Sequence, residues 1–296
     1  ITNAAELNYV CTSANAATED KYYVVDPAIK AFILQPQSLV TALGGADAFM
    51  NIKSADETKA LFEGADQTKI LNWLKNGSSN VFAGHFDGNG VTIYGMYSDS
   101  TLIKSEQCGL FPILDGNGVG VANQGAAEKA TTLANFAVKS SYVKGYRRVA
   151  VISSTAWWNK GGAYVDGWEE IKNCEIANNF LVGQNRIAKD NTLANSGWGI
   201  AEMGVIGGAM ANDPMKVDGL SVYGNKTEYR VFASGSSTEY TVDASKDFNR
   251  LFGQNTLSGV GFYGELKNAV SLGTLVSQLQ HNKDDIVYTA NIYTDI

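Results

Sequence analysis

The chain has 296 residues, 45% of them hydrophobic and 18% charged, with a net charge of −7 and a pI near 4.9. That is globular composition, far from the polar, charge-rich make-up of a disordered chain. The acidic balance excludes a nucleic-acid partner, because phosphate binding draws on clustered Lys and Arg, and the one tight basic group (Lys144, Arg147, Arg148) reads as a solvated edge.

Residues 2–18 predict a helix that caps the N-terminus. Asn3 can cap it, Glu6 follows three positions on, and Leu7, Val10, Cys11 and Ala14 share one face. Short strands are expected at Tyr22–Val25 and Ala31–Leu34, punctuated by Pro27 and Pro36. Residues 38–77 read as a helical insert. Ser54 and Glu57 form a second capping box, Gly64 breaks that helix, and Ile70, Leu71, Trp73 and Leu74 form the apolar face of the next, with Asn76-Gly77 as its stop. The preferred role of this insert is packing rather than contact with a partner.

From Val81 onward, apolar bursts alternate with Gly, Asn, Asp and Ser: Val91–Ile93, Val149–Ile152, Gly204–Ile206, Leu220–Val222, Tyr229–Phe232 and Gly261–Tyr263. These are strand-and-turn signals, too closely spaced for helices between them. A repeat underlies them. Leu133-x-Asn135-x-x-Val138 with Val143 and Gly145 recurs 38 residues later as Ile171-x-Asn173-x-x-Ile176 with Leu181 and Gly183. Val217-x-Gly219-x-x-Val222 is a third, degenerate copy, and Leu266-x-Asn268 a trace of a fourth. Stacked copies would lie about 4.8 Å apart, with the apolar positions inward. Asn135 and Asn173 would meet at corresponding turns, where amides can bond along the stack and Asn tolerates a left-handed backbone. Gly145 and Gly183 would let a corner close. The expected class is therefore an all-β solenoid, a right-handed parallel β-helix. It would form one domain over 1–296, with coils from residue 80, the capping helix, the helical insert, and Ile286–Ile296 as a closing strand.

The residues resemble a known family, the GLUG-type right-handed parallel β-helix proteins of bacterial cell surfaces and bacteriophages. The resemblance lies in Ile1–Leu7, in Phe82-x-Gly84-x-Phe86-Asp87-Gly88-Asn89-Gly90-x-Thr92-Ile93-x-Gly95, in Gly109-Leu110-Phe111, and in Leu133–Gly145. It departs at Met96, at the 38–77 insert, and in the eroded copies beyond residue 200. It implies a secreted, cell-surface or virion setting with an adhesive or structural role, and it brings no catalytic residues.

The chemistry-bearing residues are sparse. Asp87-Gly88-Asn89-Gly90 and Asp115-Gly116-Asn117-Gly118 are oxygen-rich and could seat calcium through Asp87 or Asp115. Asp-Gly and Asn-Gly are also tight-turn pairs, and the turn is the preferred reading, so no metal or cofactor is expected. Asp166, Glu169, Glu170 and Glu175 are the carboxylates that a glycoside-cleaving reading would use; no spacing brings two together, and no catalytic residues are assigned. His85 and His281 read as exposed turn residues. Cys11, Cys108 and Cys174 lack metal spacing and read as buried free thiols. No apolar run approaches the about 18–20 residues of a membrane span, so no membrane insertion is expected. The first residue, Ile1, fits either a removed leader or a fragment of a longer chain.

The aromatic group Trp157, Trp158, Tyr164, Trp168 and Trp198, set in Gly-rich loops, is the expected ligand-binding set, since exposed rings stack on sugars and anchor interfaces. The leading expectation is a non-catalytic scaffold presenting loops to a glycan or protein surface. The alternatives are a carbohydrate-active lyase or hydrolase, and a structural subunit that oligomerises into a capsid or surface layer.

Overall fold

A computed structural model describes residues 1–13, 18, 20–78, 80–103, 105–114, 129–145, 148–156, 167–185, 203–210, 214–232 and 239–247, with strand segments at 263–267, 270–271, 286–288 and 293–294. Side chains are described up to residue 230. Three helices lie in the early chain: α1 (Ala4–Thr12), α2 (Gln37–Ala42) and the four-residue α3 (Asp47–Met50). α4 (Ala55–Gly64) and a 3-10 turn (Trp73–Asn76) follow.

Before and among these run β1 (Tyr22–Val24) and β2 (Ala31–Ile33). Next come β3 (Val81–Phe82), β4 (His85–Tyr94), β5 (Tyr97–Asp99), β6 (Ile113–Leu114), β7 (Lys129–Lys139) and β8 (Tyr142–Gly145). The chain continues with β9 (Ser153–Ala156), β10 (Gly167–Ala177), β11 (Phe180–Asn185), β12 (Gly207–Met210), β13 (Pro214–Tyr223) and β14 (Lys226–Phe232). The remaining strands are β15 (Glu239–Asp247), β16 (Tyr263–Lys267), β17 (Val270–Ser271), β18 (Ile286–Tyr288) and β19 (Tyr293–Thr294).

These strands form three sheets. The first has the order β1-β4-β7-β10-β13-β16-β18, with β2 also on β4 and β17 joining β13 to β19; the second is β15-β14-β11-β8-β5 and the third β12-β9-β6-β3. Successive passages of the chain give one strand to the third sheet, one to the first and one to the second. Among the described residues, all strand pairings are parallel except β14 with β15, which is antiparallel and bulged.

The all-β solenoid expected from the repeat is corrected by this arrangement. Helices and several parallel sheets are mixed, no one sheet forms a solenoid, and the class is nearer α/β. A repeat in the sequence specifies which strands lie side by side; it does not specify the class of the whole. The pairings themselves follow the repeat. Leu133 faces Ile171 and then Val217 and Leu266; Val138 faces Ile176 and then Val222; Val143 faces Leu181, and Gly145 faces Gly183. Phe86 and Ile93 extend the same rows on β4. All of these apolar side chains up to Val222 are buried, which fixes the register, because a one-residue slip would turn them to solvent.

α1 is shorter than expected. Asn3 accepts from the Glu6 N–H (2.9 Å), and the Glu6 carboxylate accepts from the Thr2 N–H (2.7 Å). The helix stops at Ser13, whose backbone is extended. Leu7, Val10 and Cys11 turn inward onto the main core with Trp73, Phe82 and Phe111. Ser54 caps α4, accepting from Glu57 N–H (3.3 Å), while Glu57 accepts from Lys53 N–H (2.9 Å). Ile70–Leu74 does not make the expected helix: only the 3-10 turn forms, ended by Gly77 at φ +111°. Trp73 is held there by its indole N–H on Leu110 C=O (2.9 Å).

α2, α3 and α4 pack on the outward side of the second sheet. There Tyr97, Tyr142 and Phe180 stack in register, with ring centroids 5.5 and 5.9 Å apart. Phe49 and Phe62 cover this aromatic row and share its core. The insert's expected packing role holds.

Two further expectations are corrected. Val149–Ile152 and Gly204–Ile206 are bends rather than regular strands, joined by an isolated parallel bridge (Val149 to Met203) and by Val151 N–H on Val205 C=O (3.0 Å). Gly145 and Gly183 do not have left-handed backbones; they are small because space is short. A Cβ on Gly183 would lie 2.8 Å from Met203 Sδ and 2.9 Å from the Tyr229 ring.

Candidate functional site

The first sheet bends where its strands cross a row of left-handed residues: Asn89 and Gly90 on β4, Asn135 on β7, Asn173 on β10 and Gly219 on β13, with φ of 51°, 82°, 57°, 52° and 72°. Few residue types accept that backbone, and Asn and Gly are the ones that do so at least cost. The Asn173 amide donates to Asn135 Oδ1 (3.1 Å), and the Asn135 amide donates to Asp87 Oδ1 (3.0 Å). This is the amide ladder expected at the turns, with a carboxylate as its first rung.

β4 departs from the repeat here. Asp87 faces Ala134 and Val91 faces Phe136, so Gly88, Asn89 and Gly90 bulge opposite the single residue Asn135. The Asp-Gly-Asn-Gly motif is thus a bulge. Asp87 Oδ1 accepts from Asn89 N–H (2.8 Å) as well as from Asn135. Gly88 is required by contact: a Cβ would lie 2.5 Å from Phe136 Cβ and 2.7 Å from Asn135 C=O.

Outside this bend lies an open groove of about 620 Å³, lined by Asn89–Thr92, Asn135–Ala137, Asn173–Glu175, Gly219 and Ser221. The register explains its lining. Thr92, Ala137, Glu175 and Ser221 occupy one row across β4, β7, β10 and β13, on the face opposite the buried row of Ile93, Val138, Ile176 and Val222. Ala137, the smallest of the four, leaves room in the middle. Two residues further along each strand, Tyr94, Lys139, Ala177 and Tyr223 form the next row on the same face.

Glu175 ties the two rows together. Its Oε1 meets Lys139 Nζ at 2.7 Å and accepts from the Tyr223 hydroxyl. Partial burial pushes the Glu175 carboxyl up, but the hydrogen bonds from Lys139 and Tyr223 outweigh it, so the carboxyl sits below its ordinary range. Burial lowers Lys139, and Glu175 more than restores it, leaving the amine above its usual value. Tyr223 is raised by burial and by the Glu175 carboxylate. The groove therefore carries amides, hydroxyls and one charge-compensated carboxylate.

Among the other expected site residues, Trp157, Trp158, Tyr164, Trp198, Asp115, Asp166 and His281 lie outside the described residues. Trp168 is placed only by its backbone, in β10. Glu169 is buried at 1% exposure, turned away from solvent, while Glu170 pairs with Lys172. His85 is corrected from exposed turn to half-buried strand residue. Its ring stacks on Tyr22 (centroids 4.2 Å) and its Nδ1 lies 3.1 Å from Thr132 Oγ1. Cys11, Cys108 and Cys174 are buried free thiols, and burial pushes Cys108 and Cys174 up to about 12. Arg148 of the basic edge is mostly buried and faces Glu106.

Sequence reasoning found the ladder but missed the groove beside it. The signal was present in the residues two places after each ladder Asn, Ala137 and Glu175, together with Thr92 and Ser221 in the same row. Among the described residues, no group of three or more His, Cys, Asp or Glu could hold a metal ion, and no helix is long and apolar enough to cross a membrane. No family model matches the chain, nor does any curated protein or solved structure.

Proposed function

We propose that this chain is a non-catalytic binding scaffold of a cell surface or virion, and that it holds a glycan in the groove beside the amide ladder. The observation that carries this reading is the groove's lining: carboxamides and hydroxyls fixed on sheet positions rather than on loops. A site built on paired strands loses little conformational entropy when a ligand arrives. Hydroxyl-rich ligands match amide and hydroxyl groups, which both donate and accept. The setting is supported by the resemblance of the Phe82–Gly95 block to surface and phage proteins.

Glycoside cleavage requires two carboxylates about 5–10 Å apart. Among the described residues lining the groove there is one, Glu175, and it is engaged by Lys139 and Tyr223. That favours retention over turnover. The experiment is a polysaccharide panel scored both for retention on the protein and for new reducing or unsaturated ends. Retention without new ends is expected. Cleavage would overturn the non-catalytic reading, and absence of retention across the panel would overturn the glycan reading.

A further inference from the structure

We infer that the groove takes a neutral, extended oligosaccharide running across the strands, along the amide ladder, with one sugar unit meeting the ladder's end at Asn173, beside Gly219. This rests on the binding-scaffold reading and adds the ligand's charge, its direction and the position of one subsite.

Direction follows from the spacing of the lining. Asn89, Asn135, Asn173 and Gly219 succeed one another at the separation of paired strands, about 4.8 Å, a distance comparable to the length of one pyranose unit. Thr92, Ala137, Glu175 and Ser221 repeat at the same interval alongside. A chain laid across the strands therefore meets the same two rows at each step, polar everywhere but at Ala137 and Gly219. A chain laid along a strand would leave the groove after a few residues.

Neutrality follows from the charges. The described residues that line the groove include no Lys or Arg, and their one carboxylate is Glu175. An anionic glycan would face that carboxylate with no cation of the lining to offset it. Lys139 stands one row away and is already paired with Glu175 at 2.7 Å, so the pair presents little net charge.

The subsite follows from the end of the ladder. Asn135 spends one amide hydrogen on Asp87 and accepts from Asn173; Asn173 spends one amide hydrogen on Asn135. Each side chain retains a second amide hydrogen, since a carboxamide carries two. On β13 the next rung is Gly219, where no side chain continues the ladder. A Cβ built there would lie 2.6 Å from Asn173 Oδ1. The glycine leaves that oxygen open as an acceptor, flanked along the chain by Ser221. A side chain at 219, asparagine included, would push the Asn173 amide aside and cover its oxygen.

The test uses the full chain and three hexasaccharide probes: cellohexaose, mannohexaose and hexagalacturonate. Binding is measured calorimetrically for the wild type, Gly219→Asn, Thr92→Val and a control outside the groove, Lys69→Ala. Thermal midpoints are recorded for each, and Thr92→Val serves as the second reporter if Gly219→Asn is poorly folded. Expected is binding of a neutral hexamer but not of hexagalacturonate. Gly219→Asn should weaken it about tenfold, Thr92→Val by a smaller factor, and Lys69→Ala not at all, the weight of one or two hydrogen bonds. Neutral binding unchanged in both groove variants would overturn the inference while leaving a glycan-binding scaffold with its site elsewhere. Preference for hexagalacturonate would overturn the neutral class. Binding of none of the three would overturn this inference, and it would overturn the glycan reading as well if the wider polysaccharide panel were also not retained.

Discussion

Asn135 shows how one residue serves backbone, stack and surface together. Its φ of 57° is unfavourable for most side chains, its amide joins Asp87 to Asn173, and its outer edge lines the groove. Asn135→Ala loses the ladder bonds and keeps a Cβ in a left-handed backbone, a combined cost of about 2–3 kcal/mol. Asn135→Gly loses the same bonds but tolerates the backbone, so it should cost about 1 kcal/mol less. Urea denaturation of the two variants checks that order, and equal losses would count against a strained turn. The thiols give a second test at this scale. Cys11, Cys108 and Cys174 are buried, and burial raises the thiol value of each. A thiol-specific reagent should label none of them in the folded chain and all of them in denaturant. The ladder was legible in the sequence because Asn at a fixed spacing is a physical signal. The bulge was not, because Asp-Gly-Asn-Gly looks the same in a hairpin turn and in a β4 loop facing one partner residue.

Among elements, α4 is tied to its neighbours by a cluster of charges. Lys59 meets Glu228 at 2.5 Å, Arg230 bonds both Glu228 and Glu63, Lys226 meets Asp56 at 2.5 Å, and the Tyr142 hydroxyl donates to Glu63 (2.9 Å). Burial opposes the charge on Arg230, yet Tyr142, Glu63 and Glu228 raise its value overall. Glu228 is 2% exposed, so its charge is stabilised by these cations rather than by water. Glu228→Ala leaves Lys59 and Arg230 partly buried without that partner and should cost about 3–5 kcal/mol. Ser54→Ala, which removes only a cap, should cost about 1 kcal/mol. Chemical denaturation of the two variants compares them; a Glu228→Ala cost no larger than that of the cap would show that the ion cluster contributes little. Both capping boxes were legible from Asn3/Glu6 and Ser54/Glu57, because a cap is written within four residues. The failed helix at Ile70–Leu74 was not: Trp73 is placed by Leu110, a contact 37 residues away that no local pattern records.

For the whole molecule, the repeat specified strand partners and not class. Leu133, Ile171 and Val217 pair as their spacing implies, while the helices at 37–64 lie against the Tyr97–Tyr142–Phe180 row and give the chain its mixed character. The outward rows of the first sheet, where the groove lies, were not legible because a half-buried strand writes its inner face in apolar residues and leaves its outer face free to vary. Glu175 and Lys139 cross that face, and they set a pH dependence. The Glu175 value is depressed in the folded chain, so its contribution is present above its ordinary 4.5 and is lost as pH falls through the lowered value. Lys139 is raised, so its contribution is present below its ordinary 10.5 and is lost as pH rises through the raised value. The thermal-midpoint difference between wild type and Glu175→Gln should therefore be constant between 4.5 and 10.5 and shrink on acidification below that window. A difference that grew in acid would contradict the pairing.

Amide hydrogen exchange with and without a retained neutral oligosaccharide tests the central claim most directly, because it locates the ligand on the chain. The account predicts added protection at residues 89–92, 135–137, 173–175 and 219–221, the four segments that line the groove. Protection confined to 157–168 and 198, the aromatic segments, would place the ligand elsewhere and contradict it.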